Sequence, residues 1–261
     1  MQVCVRGING KEVASLSVRP EETVRDLQVR LAQLTGIPVM TQQLLCDTDR
    51  LESNKRLSDL GLQAKADLTL VVLSMMPVVT ASDDRTAKLW NPATGECTQT
   101  LTGHGGLVWS AVFSADGTAV LTASQDGTAK LWNPATGECT QTLTGHGGSV
   151  ASAVFSADGT AVLTASHDRT AKIWNPVTGE CTQTLTGHGG SVASAVFSAD
   201  GTAVLTASGD RTAKLWKPVT GECTQTLTGH GDFVTSAVLS ADGTAVLTAS
   251  GDRTAQLWKP P

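Results

Sequence analysis

Two patterns of apolar and polar positions follow one another along the chain, and they change near residue 75. In the first, residues 2 to 6 alternate around Val3 and Val5, Asn9 and Gly10 supply a hairpin turn, and residues 13 to 18 resume the alternation, which predicts two paired strands. Val24, Leu27, Leu31 and Leu34 then recur at helical spacing. Thr23 is placed to cap that helix, with Asp26 three residues on, and Gly36 and Pro38 are placed to stop it. The runs QQLLCD and DLTLVVL read as further strands. The order strand, strand, helix, strand, strand predicts a helix packed on a mixed sheet.

From residue 77 the pattern becomes a tandem repeat of 42 residues, marked by Trp90, Trp132, Trp174, Trp216 and Trp258 and by Gly-His pairs ending at His104, His146, His188 and His230. A period of this length with fixed motifs predicts stacked supersecondary units. Each unit reads as four short strands, VASAVFS, AVLTAS, AKIW and CTQTL, separated by the turns SADGT, DRT and PVTGE.

Composition adds limits. At 261 residues with 40% hydrophobic content, the chain is long enough for one large or two small globular domains. No apolar run of about 18 residues occurs, and the charged, alternating N-terminus lacks a signal peptide's apolar stretch. The expectation is a soluble cytoplasmic protein, with the nucleus left open. Residues 1 to 74 hold nine basic and nine acidic residues, and residues 75 to 261 hold ten and fifteen. That acidic balance argues against nucleic acid or an anionic membrane as the main partner. Of six cysteines, Cys97, Cys139, Cys181 and Cys223 occupy one place in successive repeats, too far apart to bridge, while Cys4 and Cys46 have no framework. All six are read as buried or half-buried free thiols.

The phrases MQVCVRGINGKEV, GIPVMTQQLL, RLSDLGLQ and DLTLVVL resemble ubiquitin across residues 1–74. The resemblance implies a β-grasp fold and an apolar receptor-docking patch at Ile8, Leu45 and Val71, with Thr69 where ubiquitin carries a histidine. Where ubiquitin ends in Arg-Gly-Gly, this chain reads Ser74, Met75, Met76, Pro77 and continues, so no Gly-Gly carboxylate is offered for conjugation. Of ubiquitin's chain-forming lysines only Lys11 has a match, and two other such positions hold Asp49 and Ala64.

Four strands per unit, a Gly-His opening and a tryptophan in the third strand resemble the WD-repeat β-propeller over residues 77–261, although Asn91, Asn133, Asn175, Lys217 and Lys259 replace the aspartate after the tryptophan. The resemblance implies one hydrogen-bonded brace per blade. The matching positions are His104, Ser124, Asp126 and Trp132, then His146, Ser166, Asp168 and Trp174, then His188, Ser208, Asp210 and Trp216, and finally His230, Ser250, Asp252 and Trp258. This structural role competes with a hydrolase reading of the phrase Ser166-His167-Asp168. Nothing in the sequence supplies an oxyanion hole or a nucleophile turn, so the chain is read as non-enzymatic, without cofactor or metal.

The repeats differ mainly beside the first-strand valine and just before the turn aspartate. Leu107, Trp109, Gln125, His167 and Phe233 fill those slots and, with Arg85, Arg169, Arg211 and Arg253 of the turns, form the candidate protein-binding face. Strand counting gives a partial blade at 77–101, full units over about 103–228 and a last partial blade at 229–261, about four and a half blades in all. The fold expectation is therefore an α+β ubiquitin-like domain followed by an all-β propeller that is open, completed by a second copy or a fragment of a longer array, with the open arc or fragment favoured. Open blade edges also allow self-association.

The functional expectation is an adaptor or scaffold that grips a protein partner through the propeller and docks to ubiquitin receptors or the proteasome through the first domain. The alternative is a repeat-based recognition protein whose ubiquitin-like part is passive.

Overall fold

The alternation around Val3 and Val5 forms β1 (Gln2–Gly7), which pairs antiparallel with β2 (Glu12–Ser17) in the computed structural model. The structure describes residues 2–35, 37, 42–52, 54–60, 65–72 and 77–259. The predicted helix stop at Gly36 and Pro38, the lysine-equivalent position Ala64, and Ser74 to Met76 of the short link lie outside the described residues.

Helix α1 (Val24–Thr35) begins as its cap predicts: the Thr23 N–H donates to Asp26 Oδ2 at 2.8 Å, and the Asp26 N–H donates back to Thr23 Oγ1 at 3.2 Å. Then come β3 (Gln42–Cys46), the two-residue β4 (Asp49–Arg50), a short 3-10 helix (Leu57–Leu60) and β5 (Lys65–Val72). The sheet order is β2-β1-β5-β3-β4, with β1 and β5 parallel and the other neighbours antiparallel. Leu27 and Leu31 of the helix are buried in one core with Val3, Val5, Leu44, Leu68 and Leu70 of the sheet. β4 and the 3-10 helix escape prediction because elements of two and four residues are too short to show a period.

The described residues of the repeat unit form eighteen antiparallel strands in five sheets. The first sheet holds β6 (Val78–Ala81), β7 (Thr86–Trp90) and β8 (Cys97–Thr102). The second holds β9 (Val108–Phe113), β10 (Val120–Ser124), β11 (Ala129–Trp132) and β12 (Cys139–Leu143). β13 (Val150–Phe155), β14 (Val162–Ser166), β15 (Ala171–Trp174) and β16 (Cys181–Leu185) make the third. β17 (Val192–Phe197), β18 (Val204–Ser208), β19 (Thr212–Trp216) and β20 (Cys223–Thr228) make the fourth. The fifth has three strands, β21 (Val234–Leu239), β22 (Val246–Ser250) and β23 (Ala255–Trp258).

The period-2 alternation of each strand gives every sheet two apolar faces, and successive sheets stack one on the next. Leu121, Ala123 and Leu131 of the second sheet share a core with Val150, Val162 and Trp174 of the third, and the same sets recur at the other sheet-to-sheet contacts. Close stacking also explains a turn glycine. At Gly137, Gly179 and Gly221 the backbone has φ of 76°, 75° and 73°, and a Cβ there would overlap Gln99, Gln141 and Gln183 of the preceding sheet. Among the described residues the series does not close: it is an open propeller, with Val78 of the first sheet and Leu247 and Leu257 of the fifth exposed.

The cysteines differ from expectation. The six cysteines are free, and Cys4 and Cys46 are half-buried, but Cys97, Cys139, Cys181 and Cys223 are exposed. Each opens the outermost strand of its sheet, and that strand reaches the core between sheets only four residues on, at the buried Leu101, Leu143, Leu185 and Leu227.

Candidate functional site

Each Gly-His histidine reaches into its blade through a glycine. Gly103, Gly145, Gly187 and Gly229 have φ between 135° and 152°, and a Cβ on any of them would lie 3.3 to 3.6 Å from the tryptophan ring of the same blade. In the second sheet His104 Nδ1 lies 2.8 Å from Asp126 Oδ2, and Nε2 lies 2.7 Å from Thr122 Oγ1. The Trp132 indole N–H donates to the same hydroxyl at 2.8 Å. The sets His146, Thr164, Asp168, Trp174 and His188, Thr206, Asp210, Trp216 repeat this within 0.1 Å, as do His230, Thr248, Asp252 and Trp258.

The directions follow from the donor inventory. An ionised aspartate accepts from Nδ1–H, and the threonine hydroxyl accepts from the indole and donates to the free Nε2, so the neutral imidazole satisfies every partner. Burial lowers the pKa of His104, His146 and His188, and the aspartate hydrogen bond only partly offsets it. Burial acts to raise Asp126, Asp168 and Asp210, but hydrogen bonds from Thr128, Thr170 and Thr212, from the histidines and from the Gly-His loop outweigh it and hold the three at about 2.

The brace therefore differs from the one expected. Its hydroxyl belongs to Thr122, Thr164, Thr206 or Thr248, all fully buried, and not to the serine two residues later. Ser124, Ser166, Ser208 and Ser250 instead fasten backbone: each donates to the carbonyl two residues after its histidine and accepts the N–H of the turn aspartate. The hairpin register carries the missed signal. Val120 pairs with Trp132, which sets Thr122 diagonally beside the indole and Ser124 out of its reach.

The Ser166-His167-Asp168 phrase separates in space. Ser166 is fully buried with its hydroxyl on Gly148 O, Asp168 belongs to His146, and the exposed His167 ring lies 5.1 Å from the Trp109 ring at 44°. Trp109 comes from the first strand of the second sheet and His167 from the β14–β15 turn of the third, so two variable slots of adjacent blades meet. Trp109 is also a bulge residue, because β9 pairs Val108 with Ser124 and Ser110 with Ala123 and leaves Trp109 outside the ladder. The same shift passes over Ala151, Ala193 and Thr235.

Phe233 is 48% exposed and packs over Gly251 of its own blade, where a Cβ would come within 2.7 Å of the ring. Leu107 is half-buried and accepts the N–H of the exposed Gln125 through its carbonyl at 2.8 Å. Arg85, Arg169, Arg211 and Arg253 are exposed, with φ of 68° to 73° at the last place of three-residue hairpin turns, where Gly127 stands in the second sheet.

In the first unit Leu45 faces Thr69 across β3 and β5, and Val71 lies two residues further along the same face. β1 runs parallel to β5 with Gly7 beside Leu70, which brings the next residue, the exposed Ile8, to the level of Val71. Leu45, Thr69 and Val71 are half-buried. They alternate with the buried Leu44, Leu68 and Leu70, which places them on the sheet face away from the core. Among the described residues no three histidine, cysteine, aspartate or glutamate side chains converge as a metal cage would require.

Comparison with known families places both regions. The WD domain, G-beta repeat model matches residues 95–133, 137–175, 179–217 and 221–259, and the ubiquitin family model matches residues 3–74. The chain is similar to Ubiquitin-like protein 4A of Mus musculus, with 32% identity over 94 residues, a stretch covering 36% of this chain and 59% of that protein. The match thus spans less than two thirds of that relative's length. WD repeats together with a ubiquitin-like domain support a protein-interaction scaffold, and both families are typically non-enzymatic.

Proposed function

Since the chain belongs to the WD domain, G-beta repeat family, whose model matches more than half of it, we propose that it is a cytoplasmic, non-enzymatic adaptor that holds a protein partner on the propeller rim and docks to ubiquitin receptors or the proteasome through its first domain. The observation that carries this reading is the meeting of Trp109 and His167. A bulge turns the indole out of the ladder, and the next blade supplies a second ring beside it, which makes an aromatic anchor of the kind that dominates protein interfaces. Phe233 and the turn arginines extend the same set of slots. The docking half of the proposal is supported by Ile8, Leu45, Thr69 and Val71, which share the outer end of one sheet.

Titration of purified ubiquitin-binding domains against the protein and its Leu45→Asp variant tests the docking half. Loss of at least about tenfold in affinity is expected on placing a charge in the middle of the patch. Equal binding by parent and variant would show that the ubiquitin-like domain is passive, and the propeller would then stand as a recognition module alone.

A further inference from the structure

Successive strands of a blade run antiparallel, so the SADGT and PVTGE turns share one end of each sheet and the Gly-His loops and DRT turns share the other. At the first end, neighbouring sheets leave grooves between them. One of about 450 Å³ between the third and fourth sheets is floored by Ile173 and Phe197, and one of about 400 Å³ between the second and third by Leu131 and Phe155. Both belong to the interior of the stack, because the second and fourth sheets each pack on a further sheet. Their lips are apolar and stand in water, Val219 at 91% exposure beside the first groove and Val177 at 86% beside the second. The same slot holds Ala93 and Ala135 in the earlier repeats, so the fold does not need valine there. The Val177 lip is held in place: Asn175 Oδ1 accepts its N–H at 2.8 Å, and the Gln141 amide donates to its carbonyl at 3.5 Å.

Asp158 lines both grooves, with Asp116 across one and Asp200 across the other, so the two adjoin along an acidic line. Hydrogen bonds from Ser114 and Thr118 hold Asp116 at about 2, those from Ser198 and Thr202 hold Asp200 there, and Ser156 and Thr160 lower Asp158 in the same way. All three are ionised at neutral pH. Glu138 and Glu180 are exposed in turns at this end, and Lys217, also there, is paired with Glu222 at 3.3 Å. The rim is the reverse, since its aspartates serve the braces and its turns present Arg169 and Arg211.

We propose that the face opposite the rim docks an extended cationic peptide, with one apolar side chain seated in each of the two grooves and basic residues lying along Asp116, Asp158 and Asp200. Each groove has the volume of a small-ligand site and an apolar floor, which suits a single large aliphatic side chain. The charge selects the occupant, because an anionic segment would be set against carboxylates that stay ionised, whereas lysine or arginine beside the anchor meets them favourably. A chain crossing both grooves passes Asp158 between its two anchors. Val177 and Val219 then close over the seated side chains, which gives a use to apolar surface that the fold leaves in water. Two small anchors with exposed charge pairs make a contact of micromolar strength. This site is separate from the Trp109 and His167 rim and stands or falls independently of it.

Fluorescence anisotropy of the full protein with a labelled peptide of lysines flanking two leucines tests this. Micromolar binding is expected, weakening as salt is raised from about 0.05 to about 0.5 M. Val177→Ala combined with Val219→Ala, which restores the alanine of the earlier repeats, should weaken binding about fivefold. Asp158→Asn keeps an oxygen to accept from Ser156 and Thr160 but removes the shared charge, and should weaken it about threefold. Both valines are exposed, so the paired variant should melt like the parent, and it decides the matter if Asp158→Asn melts early. Trp109→Ala should bind the peptide as the parent does. A parent that does not bind, equal binding of a peptide with glutamates for the lysines or glycines for the leucines, valine variants that bind like the parent, or a loss on Trp109→Ala that matches theirs would each overturn the proposal.

Discussion

The fourth and fifth sheets carry the same phrase, AVLTAS, yet Leu205 is sealed and Leu247 is half open. Local sequence builds both strands equally well. The fate of the leucine is decided by whether a neighbouring sheet stacks on it, which is why a repeat protein's stability is a sum of unit and interface contributions and not a property of any one unit. The first sheet shows the same difference from the other side, through Val78 and the sealed Val120.

Truncation should expose this contrast most sharply. Leu205→Ala removes methyl groups from a filled interface and is expected to cost about 3 kcal/mol, whereas Leu247→Ala should cost about 1 kcal/mol or less. Urea unfolding of the two variants gives the comparison directly. Equal losses would mean that sheet-to-sheet stacking contributes little and that each blade stands by itself.

The brace offers a second contrast with chemistry held constant. The Trp174 indole donates to Thr164 at 2.8 Å in the third sheet, and the Trp90 indole donates to Thr80 at the same distance in the first. Thr164 is buried and also serves His146, while Thr80 is exposed and water can replace it. Thr164→Val should therefore cost about 2 kcal/mol, since it leaves an indole N–H and an imidazole nitrogen without partners, and Thr80→Val only a few tenths. Ser166→Ala, which leaves the histidine-to-tryptophan link intact, should fall below Thr164→Val in the same unfolding series.

How much of this was legible from residues alone depends on how far each feature reaches. The helix cap at Thr23 and Asp26, the eighteen repeat strands and the missing strands of the first and fifth sheets are local or periodic, and periodicity reveals them. The identity of the brace hydroxyl is not local. Thr122 and Ser124 lie on one face of one strand, and only the pairing of Val120 with Trp132 selects between them. The juxtaposition of Trp109 and His167 is further still from the sequence, because it depends on how two sheets stack. The exposure of the cysteines escapes the sequence for a related reason: repetition shows that they are equivalent, and only strand order shows that their strand is outermost.

The turn arginines supply the case in which the contrast between blades should vanish. Arg169 and Arg253 have φ of 73° and 68°, and each donates its N–H to the serine three residues back at 3.2 Å, so the two turns are locally alike although one lies between stacked sheets and the other in the half-covered fifth. A left-handed backbone disfavours any residue with a Cβ, and Gly127 shows the relaxed solution in the second sheet. Arg169→Gly and Arg253→Gly should each raise stability by about 0.5 kcal/mol, net of the freedom that glycine adds to the unfolded chain. The two gains should agree because a turn's strain is confined to its own backbone. A gain at Arg253 with a loss at Arg169 would show instead that the interior arginine makes contacts with its neighbours that outweigh its strain, and the rim would then be coupled from blade to blade.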